Sequence, residues 1–386
     1  METVLVIALQ VALIAVLLVG SRRMPAGAWN EGFLSLSETK ALQGLFAMFI
    51  VFHHCGQRVL YSYLWDGLGF SSGLTIVSLI GYVFVGYFLF CSGYGLCRSF
   101  HNKKGYLDRF LRRRPLPLLA IFYACNTIYL LGRLLLGETF DPLRLVRLAL
   151  GIELANPNSW YVVALPVLYA LFYFSARNAT DDRQILRRLF AGVGIYVLAG
   201  LVVTTLFSYG GYLAFTGTWW YDSAILFPLG YLFGYKGDAI AAWMKRNFGK
   251  SVALSLLLCI GAFIPSALLN FYYLPYTASE LMRYLYCLLI VLIHSILAVG
   301  FVGAMMCLSL KRRIESRALA FYGSITLELY LMHGFFVQLF FAPFYDKGVG
   351  ILNIEMSPAY VVAVLACGTL AALMFRQLTR RLLARG

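Results

Sequence analysis

The sequence predicts an all-α polytopic integral membrane helical bundle of about eleven transmembrane helices, and three observations carry this prediction. Hydrophobic residues make up 61% of the 386 residues and charged residues only 13%, whereas about 25% of an average soluble domain is charged. Apolar windows long enough to cross a bilayer, about 20 residues, recur along the chain. Basic residues collect in alternate connections between these windows.

The apolar windows define the predicted helices. The connections between them are too short for a separate soluble domain, so the sequence predicts one membrane domain. The seventh window is the least regular, because Pro228 interrupts it. The windows are residues 3–19, 41–60, 74–97, 116–136, 159–175, 189–208, 218–235, 250–270, 282–308, 318–343 and 357–377.

The basic residues predict the orientation, since Lys and Arg accumulate in cytoplasmic loops. An N-out/C-in topology makes every second connection cytoplasmic, and these connections hold 26 of the 32 Lys and Arg residues. Adding or removing one helix would destroy the alternation downstream of it. The cytoplasmic connections are 20–40, 98–115, 176–188, 236–250, 309–317 and the tail from Arg376. The exceptions are Arg58, Arg133, Arg144, Arg147, Arg283 and Lys347.

Charge and cysteine usage exclude other classes of protein. The net charge of +15 is scattered over loop clusters, so we expect no nucleic acid partner. The first apolar segment is predicted to be a retained helix and not a signal peptide, because Glu2 precedes it and Arg22 follows it. The eight cysteines lie in or beside the windows without a Cys-x-x-Cys pair. They are interpreted as small buried hydrophobes, and no metal site is predicted.

The adjacent residues His53 and His54 lie inside the second apolar window. Ionisable side chains within a bilayer are rare and normally face a cavity or a partner. The pair is therefore a functional candidate, with a packed structural role as the alternative. His294 is interpreted as structural and His101 as solvated within a basic loop.

Residues 43–54 resemble the first motif of the acyltransferase 3 family of membrane-bound acyltransferases, which is Arg-x10-His. Eleven residues make about three helical turns, so the two ends share a helix face about 16 Å apart. His54 matches the family histidine, but Gln43 stands where the family has arginine. Either Lys40 supplies the positive charge or that contact is absent.

Three further segments strengthen the resemblance: residues 88–94, an aromatic-rich Ser-Gly-aromatic signature; residues 106–117, rich in arginine and proline; and residues 323–333, a Ser-x-x-x-Tyr-Leu-x-His type of ending. The predicted organisation is an additional helix and connection at 1–40, a family-like domain at 41–343, and a last helix with a basic tail at 344–386.

The resemblance implies acyl transfer, commonly of acetyl from acetyl-CoA, to a hydroxyl of a carbohydrate or another cell-envelope molecule. His54 is then the general base, because the unperturbed pKa of histidine suits proton removal near neutral pH. A covalent acyl-histidine is the alternative. His333 is predicted to orient substrate or assist proton transfer, with a structural hydrogen bond to a neighbouring helix as the alternative. Glu328 is the third catalytic candidate, although its five-residue spacing from His333 does not favour a direct pair. A buried carboxylate needs a partner, for which Arg133 or a cytoplasmic-side arginine is a candidate.

Donor and acceptor contacts are assigned by charge and position. Arginine binds phosphate bidentately, so the basic loop is predicted to hold the nucleotide end of CoA, with simple positive-inside retention as the alternative. Ser92, beside Gly93, is either a donor contact or a site of close helix approach. The predicted donor contacts are Gln43, Lys40, Arg109, Arg112, Arg113 and Ser92. The predicted acceptor contacts are Trp160, Tyr161 and Asp222, with interfacial anchoring as the alternative for the aromatic residues.

Two other classes of function stay open. A proton-coupled secondary transporter also uses intramembrane His and Glu, but the chain shows no obvious internal repeat of the kind such proteins contain. A non-catalytic membrane sensor would use a similar fold. The expected partners are acyl-CoA, the acceptor and the lipid bilayer of the plasma (inner) membrane, with homo-oligomerisation left open.

Overall fold

The computed structural model describes residues 2–64, 73–207, 217–271, 279–340 and 358–383. Within these ranges the chain is almost entirely helical, with one pair of short strands, β1 (Ser21–Arg23) and β2 (Arg312–Ile314), and 3-10 turns at Pro157–Ser159 and Thr218–Trp220. The helices are α1 (Glu2–Val19), α2 (Leu36–Leu64), α3 (Thr75–Leu79), α4 (Gly81–Asn102), α5 (Phe110–Arg113), α6 (Pro115–Leu135), α7 (Pro142–Leu150), α8 (Trp160–Ala176), α9 (Asp182–Phe207), α10 (Leu226–Arg246), α11 (Phe248–Phe271), α12 (Glu280–Lys311), α13 (Arg317–Ser324), α14 (Thr326–Leu339) and α15 (Pro358–Leu383).

Seven helical segments of the described chain are long and apolar enough to cross a bilayer. They are Gly81–Asn102, Phe110–Leu135, Pro157–Ala176, Asp182–Leu206, Phe248–Leu269, Glu280–Lys311 and Pro358–Arg381, and Thr3–Val19 is a shorter apolar helix. These segments confirm the all-α membrane class. The total of eleven spans and the N-out/C-in orientation stay predictions.

Three of the predicted spans are not continuous helices. The span at 74–97 divides at Ile80 into α3 and α4. The span at 318–343 divides at Ile325 into α13 and α14, and its last three residues lie outside the described ranges. The span at 218–235 begins with a 3-10 turn, and its helix α10 starts only at Leu226. Hydropathy alone does not reveal such breaks, because each window as a whole stays mostly apolar through its break.

Helix α7 lies in a connection for which no helix is predicted, although its ends follow simple local rules. The Asp141 side chain accepts a hydrogen bond from the Arg144 backbone N–H at the start, next to Pro142. Gly151 ends the helix in the left-handed conformation with φ of 72°.

The chain forms two compact units. The first comprises Met1–Gly81, Ile121–Ser159 and Arg312–Gly386. Within it α2 packs against α13, α14 and α15, and glycines permit the closest approach. A Cβ atom at Gly44 would overlap the Leu319 carbonyl, and one at Gly323 would overlap the Lys40 carbonyl. The backbones of α2 and α13 are therefore in direct contact.

The antiparallel pair of β1 and β2 lies near the N-terminal end of α2, with Arg22 opposite Arg313. Glu38 is buried beside it. Its carboxylate accepts hydrogen bonds from Asn30 Nδ2 at 2.9 Å and from the Ile314 backbone N–H at 3.3 Å. Burial raises the pKa of Glu38 above its ordinary value, and the hydrogen bonds oppose this only in part.

The second unit comprises Tyr82–Ala120 and Trp160–Lys311. Helices α4 and α10 cross here at backbone contact, because a Cβ atom at Gly93 would overlap the Phe227 carbonyl and one at Gly230 would overlap the Phe90 carbonyl. The interpretation of the segment around Ser92 and Gly93 as a site of close helix approach is therefore confirmed for Gly93.

Candidate active site

The first unit brings His54 of α2 and His333 of α14 into direct contact. His54 Nδ1 lies 2.6 Å from His333 Nε2. The two ring planes are within 9° of parallel, and their centroids are 4.9 Å apart. Both side chains are buried, His333 completely so. Two histidines separated by 279 positions in the chain thus form one hydrogen-bonded pair.

The partners of the pair fix which ring atoms carry protons. His333 Nδ1 lies 2.8 Å from the Leu329 carbonyl oxygen. A carbonyl only accepts, so His333 Nδ1 carries a proton and, in the neutral pair, His333 Nε2 presents a lone pair. His54 Nδ1–H then donates to that lone pair. The lone pair of His54 is left on Nε2, to which no described residue donates a hydrogen bond.

A buried hydrogen-bond network holds α14 in place beside His333. The Leu331 carbonyl accepts from Asn156 Nδ2 at 2.9 Å and from the Tyr129 hydroxyl at 3.0 Å. Close packing adds to this restraint, because Gly334 faces Asn156 and Tyr129, and Gly368 of α15 lies against His333. Sequence analysis missed Asn156 and Tyr129, since neither lies near the histidines in the chain.

His53 has a different environment from His54. Its Nδ1 lies 3.0 Å from the Val77 carbonyl of α3. A Cβ atom at Gly81 would overlap its ring, so the glycine at the start of α4 provides space for His53. His53 is therefore tied to the break between α3 and α4, which is consistent with the expectation that only His54 occupies the family position.

Glu328 lies partly buried in the first turn of α14. No hydrogen bond or ion pair joins it to His333 among the described residues. The suggested partner Arg133 instead forms a bidentate pair with Glu138, with Nε and Oε2 2.6 Å apart. The interpretation of Arg133 as the partner of Glu328 is thus wrong.

Acidic partners also account for other basic residues outside the predicted cytoplasmic loops. Arg144 Nε lies 2.8 Å from Glu153 Oε1, and Arg147 Nε lies 3.6 Å from Glu153 Oε2. Glu153 is buried. The two arginines share one carboxylate, so their positive charge is partly neutralised locally.

The predicted donor contacts are found in both units. Gln43, partly buried, and Lys40, exposed, lie on α2 in the first unit. In the second unit Arg109 precedes the short helix α5, whose last turn carries Arg112 and Arg113. All three arginines are exposed.

Helix α5 is anchored through one buried aromatic side chain. The Phe110 ring packs against Phe172 and Tyr173 of α8, with centroid separations of 5.4 and 6.2 Å. The three arginines are therefore presented to solvent from a rigid turn.

Ser92 and two aromatic candidates lie in the second unit. Ser92 is partly buried on α4 and is a hydrogen-bond neighbour of Tyr161 and Tyr169. Tyr161 and Trp160 begin α8, and their ring centroids are 6.2 Å apart. The structure thus brings Ser92 and Tyr161 together.

Asp222 is buried and paired with a histidine that was interpreted as structural. Its Oδ2 lies 3.1 Å from His294 Nδ1 of α12. The Tyr82 ring stacks on the imidazole, with centroids 3.7 Å apart and planes within 11° of parallel. His294 Nε2 is buried without a hydrogen-bond partner among the described residues.

The described chain combines apolar helices of membrane-spanning length with a buried pair of hydrogen-bonded imidazoles. The sequence model of the acyltransferase 3 family, described as an acyltransferase domain, matches residues 38–376. The chain therefore belongs to the acyltransferase 3 family. Comparison with curated proteins and with solved structures gives no significant match.

Proposed function

We propose that this membrane acyltransferase takes an acetyl group from acetyl-CoA and transfers it to a hydroxyl of a carbohydrate or another cell-envelope acceptor. The observation that supports this best is the His54–His333 pair, in which His54 Nε2 has the lone pair a general base needs. Acetyl-CoA would act as a substrate, and the plasma (inner) membrane is the proposed location.

In the proposed reaction, His54 Nε2 accepts the proton of the acceptor hydroxyl as its oxygen attacks the thioester carbonyl. The C–S bond then breaks, and the same proton passes from His54 to the departing sulfur, giving the acetyl ester and CoA thiol. His333 acts as a positioning residue: it keeps His54 in the tautomer with a free Nε2 and stabilises the imidazolium through the Nδ1–H bond.

A covalent route uses the same atoms in another order. His54 Nε2 attacks the thioester directly and forms an acyl-imidazole, which the acceptor hydroxyl then cleaves. Single-turnover mixing with labelled acetyl-CoA, quenched in the absence of acceptor, separates the routes. Label on the protein that His54→Ala abolishes supports the covalent route, and its absence supports direct transfer.

Phosphate recognition is the proposed role of Arg109, Arg112 and Arg113, because α5 presents all three to solvent from an anchored turn. Arg112→Ala combined with Arg113→Ala is expected to raise the KM for acetyl-CoA about tenfold, since charge-assisted hydrogen bonds contribute about 1.5–3 kcal/mol each and exposure reduces this. The matched control is Arg380→Ala with Arg381→Ala, an exposed pair at the end of α15. Equal KM values in the two double variants would contradict the assignment.

Gln43, Lys40 and Ser92 remain proposed donor contacts, and Glu328 remains a proposed catalytic residue without an assigned partner. Substitution of each by alanine, with kcat and the KM for acetyl-CoA measured separately, distinguishes the two classes: donor contacts change KM first, whereas Glu328 changes kcat.

For the acceptor we propose contacts from Trp160 and Tyr161, whose rings can stack on a sugar. Asp222 is proposed to act together with His294, because its carboxylate holds His294 Nδ1 and leaves Nε2 to bond an acceptor hydroxyl. Competition by a panel of envelope carbohydrates against labelled transfer would identify the acceptor class.

The deciding experiment compares His54→Ala with His53→Ala in proteoliposomes supplied with labelled acetyl-CoA. We expect His54→Ala to lose transfer and thioester hydrolysis while it still binds CoA, and His53→Ala to retain most of the activity. Full activity of the His54 variant would reject the proposed catalytic role. Proton-coupled solute uptake without CoA binding would instead support a transporter.

A further inference from the structure

Cys97, His101 and Asp182 form a cluster in the second unit that the proposed transfer reaction does not use. Cys97 and His101 are four residues apart in α4 and share one helix face, and Asp182 is the first residue of α9. One ligand atom from each side chain lies within 4.8 Å of those of the other two. We propose that these residues bind a divalent transition metal, with Zn²⁺ as the best fit.

The separation between the His101 and Asp182 ligand atoms is close to the one that a metal ion requires. Zn²⁺ binds nitrogen and oxygen at about 2.0–2.2 Å and thiolate sulfur at about 2.3 Å, which places tetrahedral ligand atoms about 3.4 Å apart. His101 Nε2 lies 3.1 Å from Asp182 Oδ2. Cys97 Sγ lies 3.7 Å from His101 Nδ1, the ring nitrogen that also contacts the Cys97 carbonyl. Binding of one ion by Cys97 Sγ, His101 Nε2 and Asp182 Oδ2 therefore requires the Cys97 side chain to turn toward Asp182.

The groups around the cluster orient the ligands as in known metal sites, where a ligating histidine donates its other N–H to an oxygen. His101 Nδ1 lies 2.8 Å from the Cys97 backbone carbonyl and donates to it, which directs Nε2 toward Asp182. The other carboxylate oxygen, Asp182 Oδ1, accepts a hydrogen bond from the Tyr231 hydroxyl at 2.8 Å. Each of these two ligands is thus held by its second polar atom.

The position of the thiol is also specified by its neighbours. Cys97 is fully buried, and a Cβ atom at Gly234 of α10 would approach its Cβ to 2.5 Å and its Sγ to 2.9 Å. Glycine therefore keeps the space that the sulfur occupies. A simple ion pair between His101 and Asp182 would need no sulfur beside it, so the ion pair alone does not explain the arrangement.

The donor set selects the metal. One thiolate, one imidazole and one carboxylate are all ligand types of Zn²⁺, whereas Mg²⁺ and Ca²⁺ prefer oxygen atoms alone. Binding replaces two protons: Zn²⁺ displaces the Cys97 thiol proton and the proton held between His101 Nε2 and Asp182 Oδ2, and both are released as the thiolate, imidazole and carboxylate bind the ion. Three protein ligands leave the fourth position for water or another molecule. The sequence does not predict this site, because Asp182 is remote in the chain and no Cys-x-x-Cys pair is present.

The test measures metal binding by the full-length protein purified in detergent. After equilibration with Zn²⁺ and removal of free ion, elemental analysis should find one ion per chain. With Co²⁺, thiolate ligation should give a near-ultraviolet charge-transfer band. Cys97→Ser should remove the band, and the matched control Cys91→Ser, at an earlier position of the same helix α4, should retain it. Asp182→Asn and Tyr231→Phe should each weaken Zn²⁺ binding, the latter by about tenfold.

Two results would overturn the proposal. One is a wild-type protein that binds no Zn²⁺ and shows no Co²⁺ band; the other is equal binding by the Cys97→Ser and Cys91→Ser variants. A melting temperature of the wild-type protein that falls on chelation, with no such fall in His101→Gln, would support a bound ion and exclude a bare ion pair. All of these readouts are independent of acyl transfer.

Discussion

His333 provides the sharpest test of the proposed mechanism, because its contribution is expected to act only through His54. In His333→Leu, the buried His54 Nδ1–H loses its only acceptor among the described residues. Leaving a buried donor unsatisfied costs about 1–3 kcal/mol. If that cost falls on the catalytically competent tautomer, kcat should drop about 5- to 150-fold, since about 1.4 kcal/mol corresponds to a factor of ten.

The companion variant His333→Gln distinguishes orientation from proton transfer. A glutamine carbonyl can accept the His54 Nδ1–H bond but cannot take up a proton at neutral pH. If His333 only orients His54, the glutamine variant should retain more activity than the leucine variant. If His333 also carries a proton, both variants should be equally slow.

The assay is release of CoA thiol from acetyl-CoA by purified protein in proteoliposomes, with kcat and KM determined for each variant. The double variant His54→Ala with His333→Leu should be no slower than His54→Ala alone, which is expected to lose about 10²–10⁴-fold. Additive losses would mean that His333 acts independently of His54, and the hydrogen-bonded pair would not be the functional unit.

Three further predictions concern residues of the first unit. Gly44→Ala should destabilise the protein by about 1–3 kcal/mol, because its Cβ atom would overlap the carbonyl of Leu319, whereas Gly194→Ala in α9 has no neighbouring atom within 4 Å and should be neutral or stabilising in the same thermal assay. Asn156→Ala should lower kcat and the melting temperature without a change in KM, because it removes the hydrogen bond from Asn156 Nδ2 to the Leu331 carbonyl of α14. An unchanged melting temperature would contradict this prediction. The pKa of Glu38 is raised in the folded protein, so the protonated side chain stabilises the fold fully below the ordinary pKa of glutamate, and this stabilisation is lost as pH rises through the raised pKa. Glu38→Gln should abolish this fall in stability with pH. Parallel profiles of stability against pH for the wild type and the variant would refute the prediction.

The class of fold could be predicted from the sequence because hydropathy and loop charge are local properties, which can be summed over each segment without knowledge of its tertiary contacts. The divisions at Ile80 and Ile325 could not, since the mostly apolar windows 74–97 and 318–343 continue through both of them. The breaks coincide with tertiary contacts: Gly81 accommodates the His53 ring, and Gly323 meets the backbone of Lys40. Only the folded chain contains these pairings.

The histidines illustrate the same limit at the level of the site. The family pattern identified His54 and His333 as candidates, but their 2.6 Å contact joins helices far apart in sequence. His294, interpreted as structural, proved to be the partner of Asp222, and His101, interpreted as solvated, pairs with Asp182. Carboxylate partners at separations of 72 and 81 positions leave no signal in a single sequence.

The acceptor for the outer proton of the histidine pair is the main chain at Leu329. Many histidine-based enzymes have a carboxylate at the corresponding position, and substitution of that acidic residue shows its role through the loss of activity. Here the oxygen belongs to a peptide unit, which every amino acid at that position would supply. On the proposed mechanism, a saturation-mutagenesis map would identify both imidazoles but not the carbonyl oxygen that orients them.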